Sequence, residues 1–235
     1  MRFLLTRPEP ECTRSAEKLR ELGHEVFQAP MLRMVEKPSP LFDLEGVSAL
    51  AVTSARVADI LVGHQQIDLL ASLPVYAVGD RSAEVLQGAG FQDVISAQGN
   101  VADLARQIVS GHSGGQVLYL AAQDRAGDLE ELLKTAQISC VLNELYQMEP
   151  VVDIDMDLLQ ILEVHCVDAV LIYSRRTAET LVARLEAVSR IDLLHGMRVV
   201  AISEGSAGPM PDEACVEIAS HPTEMALFEL ALRRC

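Results

Sequence analysis

The stretch "VLIYSRRTAETLV", Val170 to Val182, shares its layout with "LAVTSARVADILV", Leu50 to Val62. In each, an apolar run typical of a buried strand is followed by a small hydroxyl residue, an arginine and a helix-like run. Ser174 and Ser54 hold equivalent places, 120 residues apart (174 − 54 = 120). The two stretches predict a strand–loop–helix unit that occurs twice in one chain.

The repeat extends to two further pairs of segments. "RFLLTRPEPECTRSAEKLRELGHEV" resembles "QVLYLAAQDRAGDLEELLKTAQISC", and "VYAVGDRSAEVL" resembles "VVAISEGSAGPM", with Ser82 opposite Ser206. Strand and helix patterns alternate along most of the chain, which favours parallel sheets with helices on both faces. A chance likeness between two α/β segments is the alternative, but three units in the same order favour a long duplication. We therefore predict an α/β protein of two similar doubly wound parallel-sheet lobes.

Composition limits the classes of partner. The chain has 235 residues, 49% of them hydrophobic, which is enough for two domain cores. Its net charge of 19 − 34 = −15 argues against nucleic-acid binding. The apolar runs are shorter than the ~18–20 residues that cross a bilayer, and "FLL" is too short for a signal peptide, so we expect no membrane association. Five cysteines without CxxC and six scattered histidines predict a cytoplasmic protein with reduced thiols and no metal site.

Basic and hydroxyl side chains follow the predicted strand ends. In doubly wound sheets ligands bind outside the carboxyl ends of the strands, where loops entering helices attract anions. These residues therefore predict an anionic ligand between the two lobes. The alternative is that the serines cap helices and the arginines lie on a solvated surface. The residues concerned are Arg7, Ser54, Arg56, Arg81, Ser82, Arg125, Ser174, Arg175, Arg176 and Ser206.

Familiar catalytic motifs are missing from the sequence, which has no GxSxG, Walker loop or GxGxxG. Tyr146 and Tyr173 end predicted strands, where a phenol can donate a proton or a hydrogen bond. The alternative for both is a half-buried tyrosine with a solvated hydroxyl. Tyr76 and Tyr119 lie inside apolar strands and are predicted to be core residues.

An ordered set of motifs is similar to that of the uroporphyrinogen-III synthase family over almost the whole chain. The motifs are "LLTRP", "VTSARV", "VYAVGDRSAEVLQGAGF", "VLYLAAQDRAGDLEELL", "ELYQMEP" and "LIYSRRTAETL". The resemblance implies two α/β lobes joined by a two-stranded linker, with the active site in the cleft between them. One lobe would hold residues 1–35 and 151–235, the other 38–146, with linkers near 36–40 and 146–152. The prolines of "KPSP" and "MEPVVD" fall at these crossings.

The resemblance also implies an activity. Members cyclise hydroxymethylbilane to uroporphyrinogen III, losing water and inverting ring D, in porphyrin and haem biosynthesis. Such a hydro-lyase needs no metal and no organic cofactor. The family's tyrosine matches Tyr146, to which the resemblance assigns the catalytic proton. The family's hydroxyl positions match Ser54, Ser82, Ser174 and Ser206. With these serines, we expect Arg7, Arg56, Arg125 and Tyr173, which follow or end predicted strands, to bind the substrate.

Two departures from the family pattern affect the second-repeat loops. "AISEGSAGP" has Ser203 in place of the usual glycine and adds Glu204, an acid near a predicted anion site. Tyr173 stands where many relatives have a different residue. The transfer of roles to these loops is correspondingly less direct.

The sequence also leads to expectations about the partners of the protein and about alternative functions. The implied partner is hydroxymethylbilane, with a transient handover from hydroxymethylbilane synthase, and the chain is expected to be a monomer. One alternative is a non-catalytic, two-lobed cytosolic sensor that binds a polyanionic small molecule. Another is a flavodoxin- or receiver-like regulator, but "TRP" stands where its acidic cluster would be expected.

Overall fold

A computed structural model describes residues 1–38, 41–125, 127–164 and 166–233. The chain divides into two compact units. Unit 1 comprises Met1–Met34 and Glu149–Cys235, and unit 2 comprises Val35–Met148. Residues 39 and 40 of the predicted "KPSP" linker lie outside the described residues, as do Cys235 and His165, the expected end of one helix.

Strands and helices alternate along most of the chain. The strands are β1 (Arg2–Leu5), β2 (Glu25–Gln28), β3 (Leu32–Glu36), β4 (Val47–Val52), β5 (Val75–Ala77), β6 (Val94–Ser96), β7 (Gln116–Ala122), β8 (Ser139–Pro150), β9 (Ala169–Ile172), β10 (Arg198–Ala201) and β11 (Cys215–Ile218). The helices are α1 (Glu11–Glu21), α2 (Arg56–Leu61), α3 (Ile67–Ala71), α4 (Asp80–Gly88), α5 (Val101–Gly111), α6 (Leu129–Thr135), α7 (Met156–Glu163), α8 (Arg175–Ala187), α9 (Glu204–Ala207) and α10 (Glu224–Ala231). Within the described ranges no helix is long and apolar enough to cross a membrane.

Unit 1 is built on a parallel sheet in the order β11-β10-β9-β1-β2. Strand β1, which lies between β9 and β2, is apolar on both faces, because Leu4 packs into one core cluster while Phe3 and Leu5 pack into another. Helices cover both faces of the sheet, which explains why the strand reads as a continuous apolar run without alternation.

Unit 2 has a six-stranded sheet in the order β3-β8-β7-β4-β5-β6. The five strands from β8 to β6 pair in parallel. Their order repeats that of unit 1, since β7 and β4 stand at the centre as β1 and β9 do there. The segments paired by sequence likeness therefore occupy matching places in two sheets, and the predicted doubly wound α/β fold class is confirmed.

Two features differ from the sequence expectation. The local sequence pattern did not indicate strand β3, and β8 continues to Pro150 through "QMEP", which looked irregular because of its proline. The two strands are neighbours in the sheet, and the Lys37 N–H donates to the Leu145 carbonyl oxygen over 2.8 Å at the end of β3. Sheet pairing thus extends both segments beyond what their local sequence indicates.

Candidate functional site

The predicted site residues of unit 2 lie at the carboxyl edge of its sheet. Ser54 follows β4, Ser82 lies in the first turn of α4 after β5, and Arg125 follows β7. Tyr146 belongs to β8, where it is paired with Ala122 at the end of β7. Parallel strands bring their carboxyl ends to one edge, so residues up to 92 positions apart in sequence meet there.

A pocket of about 330 Å³ opens at this edge. It collects three of the predicted residues, Ser54, Arg125 and Tyr146. Arg56 and Ser82 are not among its lining residues, and Ser82 is only 7% exposed. The pocket also takes in residues that were not predicted as site residues. These are Thr53, Val78, Asn100, Val101, Ala122 and Asp124.

Tyr146 and Ser54 form a directed hydrogen bond at the pocket wall. The Tyr146 hydroxyl donates to Ser54 Oγ over 2.9 Å, and the Arg56 backbone N–H donates to the same oxygen over 3.3 Å. Tyr146 is only 3% exposed. Its phenol is therefore held in one direction by packing and by Ser54, instead of being a solvated hydroxyl at a strand end.

The charge of Arg125 is compensated within unit 2. Its Nη1 lies 3.1 Å from a Glu144 oxygen, and its Nη2 lies 3.2 Å from Glu130. Glu144 also pairs with Lys37. Hydrogen bonds from Lys37, and then from Arg125, hold the pKa of Glu144 below its usual value. A carboxylate that binds Arg125 must therefore compete with two carboxylates of the protein.

A second tyrosine, Tyr119, contacts two residues of the pocket lining. Tyr119 is 1% exposed in β7, as expected for a core residue, and burial raises the pKa of its phenol. Its hydroxyl lies 3.0 Å from Thr53 Oγ1, and the guanidinium of Arg125 lies 5.9 Å from its ring centroid. Thr53, which lines the pocket, therefore has a fixed polar partner in the buried Tyr119 hydroxyl.

In unit 1 the predicted Arg7 is also engaged by the protein. Its guanidinium lies 4.2 Å from the centroid of the Tyr173 ring, and its Nη1 donates to Ser15 and to Glu224 over 2.9 and 2.8 Å. Lys18 forms a further ion pair with Glu224. Burial opposes ionisation of Glu224, but Lys18, Ser15 and Arg7 outweigh it and keep the pKa of this carboxyl lowered.

Tyr173 is a buried phenol in this structure. Its hydroxyl oxygen is buried, and desolvation raises the pKa of the phenol to about 12. The structure thus places Tyr173 beneath Arg7, where it supports the guanidinium by a cation–π contact. A solvated hydroxyl, the alternative considered from sequence, does not describe it.

The remaining two serines act as helix caps. Ser174 Oγ accepts from the Thr177 N–H over 3.2 Å at the start of α8. Ser203 and Ser206 form a capping box around α9, with N–H to Oγ distances of 3.1 and 3.3 Å. The departure at Ser203 therefore has a structural role, because its hydroxyl supplies the cap. For Ser174 and Ser206, the helix-cap alternative accounts for the observed partners.

Metal-ligating residues do not cluster in the described part of the chain, which holds no group of three His, Cys, Asp or Glu residues placed to bind an ion. What sequence reasoning missed in both units is the set of acidic partners. Glu130 and Glu144 hold Arg125, and Glu224 holds Arg7. No local motif marks these carboxylates, since Glu224 is 217 residues away from its arginine.

Comparison with known proteins gives a consistent result. Residues 13–229 match the family model HEM4, described as uroporphyrinogen-III synthase HemD. A uroporphyrinogen-III synthetase from Helicobacter pylori 26695 superposes with a TM-score of 0.66 at 18% identity, covering 99% of each chain. A mutant uroporphyrinogen III synthase from the extremely thermophilic bacterium Thermus thermophilus gives 0.51 at 15%, covering 98% of this chain and 96% of that one. At these identities the structural likeness shows the fold. A comparison with curated proteins gave no match.

Proposed function

This chain belongs to the uroporphyrinogen-III synthase family, and on that premise we propose that it cyclises hydroxymethylbilane to uroporphyrinogen III. The reaction loses water and inverts ring D, so the proposed class is a hydro-lyase of tetrapyrrole biosynthesis. The observation that carries the proposal is the match of the family model to residues 13–229. We propose that the chemistry takes place at the pocket lined by Tyr146 and Ser54, which are joined by a hydrogen bond.

The proposed reaction needs mainly that the protein positions the substrate. Loss of the substrate's hydroxymethyl oxygen as water leaves an azafulvene that is already primed to close. The protein must deliver a proton to the leaving hydroxyl and fold the chain so that inverted closure is faster than spontaneous closure. We propose that the proton originates at Tyr146, whose phenol is fixed by packing and by its hydrogen bond.

Substrate binding must overcome a net charge of −15, because the substrate carries eight carboxylates. We propose that Arg7, Arg56 and Arg125 supply the local positive charge. At Arg7 and Arg125 the substrate's carboxylates would exchange with Glu224 and with Glu144. Hydroxyl contacts with the substrate are proposed for Ser54, Ser82, Ser174 and Ser206. Tyr173, whose hydroxyl is buried, is proposed to contribute by supporting the Arg7 guanidinium with its ring.

The wider organisation is also a proposal. We propose functional lobes of residues 1–35 with 151–235 and of 38–146, supported by compact units that change at Met34 and Glu149. The protein would act as a cytoplasmic monomer, without metal or organic cofactor. It would receive hydroxymethylbilane from the synthase that makes it.

A coupled assay with a tyrosine variant tests the proposed function. Hydroxymethylbilane is generated in place by its synthase, and the oxidised products are separated as isomers I and III. We expect Tyr146→Phe to lower isomer III formation by about 100-fold, the lower end of general-acid contributions. Tyr76→Phe is the matched control, because Tyr76 is equally buried at 3% in the same unit and lies outside the pocket lining. Near-wild-type turnover of Tyr146→Phe would remove Tyr146 from the proton step.

A further inference from the structure

We propose that Ser54 delivers the proton to the substrate and that Tyr146 resupplies Ser54, so that the two hydroxyls act as a relay. This inference rests on the proposed function. It changes the role of Ser54 from substrate binding to catalysis, and it makes Tyr146 the inner member of the pair.

The inference rests on which hydroxyl donates and which accepts in the Tyr146–Ser54 pair. A phenol has one hydrogen to donate, and Tyr146 gives it to Ser54 Oγ over 2.9 Å. A serine hydroxyl has two acceptor positions and one donor. Both acceptor positions of Ser54 are filled, by the Tyr146 hydroxyl and by the Arg56 backbone N–H at 3.3 Å.

The hydrogen of Ser54 is therefore the donor that remains. Within the part of the chain that the structure describes, no acceptor for it is found. Both residues line the pocket, but Ser54 is partly exposed whereas Tyr146 is only 3% exposed. A ligand oxygen in the pocket thus meets the serine's hydrogen, while the phenol's hydrogen is already committed.

The relay balances without an added reagent. The substrate's C–O bond breaks with its electron pair on oxygen, and that oxygen takes the Ser54 proton and leaves as water. Ser54 takes the proton of Tyr146, which becomes phenolate. Closure then forms a carbon–carbon bond to the substituted α-carbon of ring D, which gives a spiro intermediate. The bond from that carbon to its original methylene bridge breaks, and this methylene bonds instead to the free α-carbon of ring D. The proton released from that free α-carbon returns to the phenolate. One water is formed, and both hydroxyls end protonated.

The relay predicts a specific pattern in a double-mutant cycle. Ser54→Ala should lower kcat for isomer III by about 100-fold, like Tyr146→Phe, because either change interrupts one proton path. The double variant should be no slower than the slower single variant, since residues acting as one unit are non-additive. Ser54→Thr, which retains a hydroxyl, should recover most of the loss. Ser110→Ala, an exposed serine of the same unit, is the control.

A ligand-binding measurement distinguishes a relay role of Ser54 from a substrate-binding role. Uroporphyrin III, the oxidised form of the product, should bind Ser54→Ala with a Kd within about twofold of the wild type. Loss of the relay removes stabilisation of the transition state only, and leaves ligand binding unchanged. Circular dichroism of each variant verifies folding. Three results would overturn the relay alone. The first is turnover of Ser54→Ala near the wild-type rate, and the second is a double variant whose loss is the product of the two single losses. The third is a loss of uroporphyrin III binding as large as the loss of kcat. Wild-type protein that yields only isomer I would instead overturn the proposed function and, with it, the relay.

Discussion

The ion-pair cluster around Glu224 gives a prediction whose size follows from the structure. Glu224 accepts hydrogen bonds from Arg7, Ser15 and Lys18, and the Arg7 and Glu224 side chains are 22% and 23% exposed. Glu224→Gln keeps the shape but removes the charge. A charge-assisted hydrogen bond contributes about 1.5–3 kcal/mol, and breaking a fully buried pair costs about 3–5. For this partly exposed pair we expect a loss of about 2 kcal/mol in the free energy of unfolding, a fall in Tm of about 4–8 °C for a chain of this size.

The pH dependence has a definite sign. The folded-state pKa of Glu224 lies below its unfolded value of about 4.3. Its contribution is therefore fully present above about pH 4.3 and is lost as pH falls through the lower folded-state pKa. The stability gap between wild type and Glu224→Gln should stay constant from mildly alkaline to mildly acidic pH and close only in strong acid.

Urea unfolding at several pH values measures this gap. Glu229→Gln is the control, because Glu229 is an exposed residue of the same helix, α10. A Glu224→Gln protein as stable as the control at neutral pH would show that the Glu224 cluster does not stabilise the fold. A gap that changes between neutral and mildly acidic pH would contradict the expected pH dependence.

Three further predictions concern a helix cap, a turn and the thiols. Asn100→Ala removes the capping box of α5 and should lower stability by about 1 kcal/mol in urea unfolding; no change would contradict the cap. Gly115→Ala should cost about 1–2 kcal/mol because Gly115 has φ +88°, whereas Gly63→Ala, with nothing within 4 Å and no positive φ, should be close to neutral in the same titration. Thiol labelling followed by mass spectrometry should modify exposed Cys215 quickly; Cys12, whose pKa burial raises to about 11, should react only on unfolding, and equal rates would contradict its burial.

The repeat in the sequence predicted most of the fold. Equivalent places for Ser54 and Ser174 implied matching strands, and β4 and β9 do hold matching positions in their sheets. The apolar runs predicted the central strands because such strands are buried on both faces. The local pattern did not indicate strand β3 or the end of β8, since their pairing joins segments more than 100 residues apart and depends on sheet contacts. Only the family resemblance, with its two-stranded linker, pointed to extended chain near these residues.

The candidate site was predictable only in part. Strand ends placed Ser54, Arg125 and Tyr146 at one edge, and the structure brings all three to one pocket. The direction of the Tyr146–Ser54 hydrogen bond depends on how β8 packs beside its neighbour, which no sequence spacing specifies. The acidic partners of Arg7 and Arg125 were missed for the same reason.

The isomer composition of the product, measured as wild-type protein is titrated against a fixed amount of hydroxymethylbilane synthase, tests most directly whether this chain is an inverting cyclase. We expect the oxidised product to shift from isomer I, which forms spontaneously, to isomer III as the protein is added, with isomer III becoming the dominant product. Isomer I as the sole product at every concentration of folded protein would contradict it.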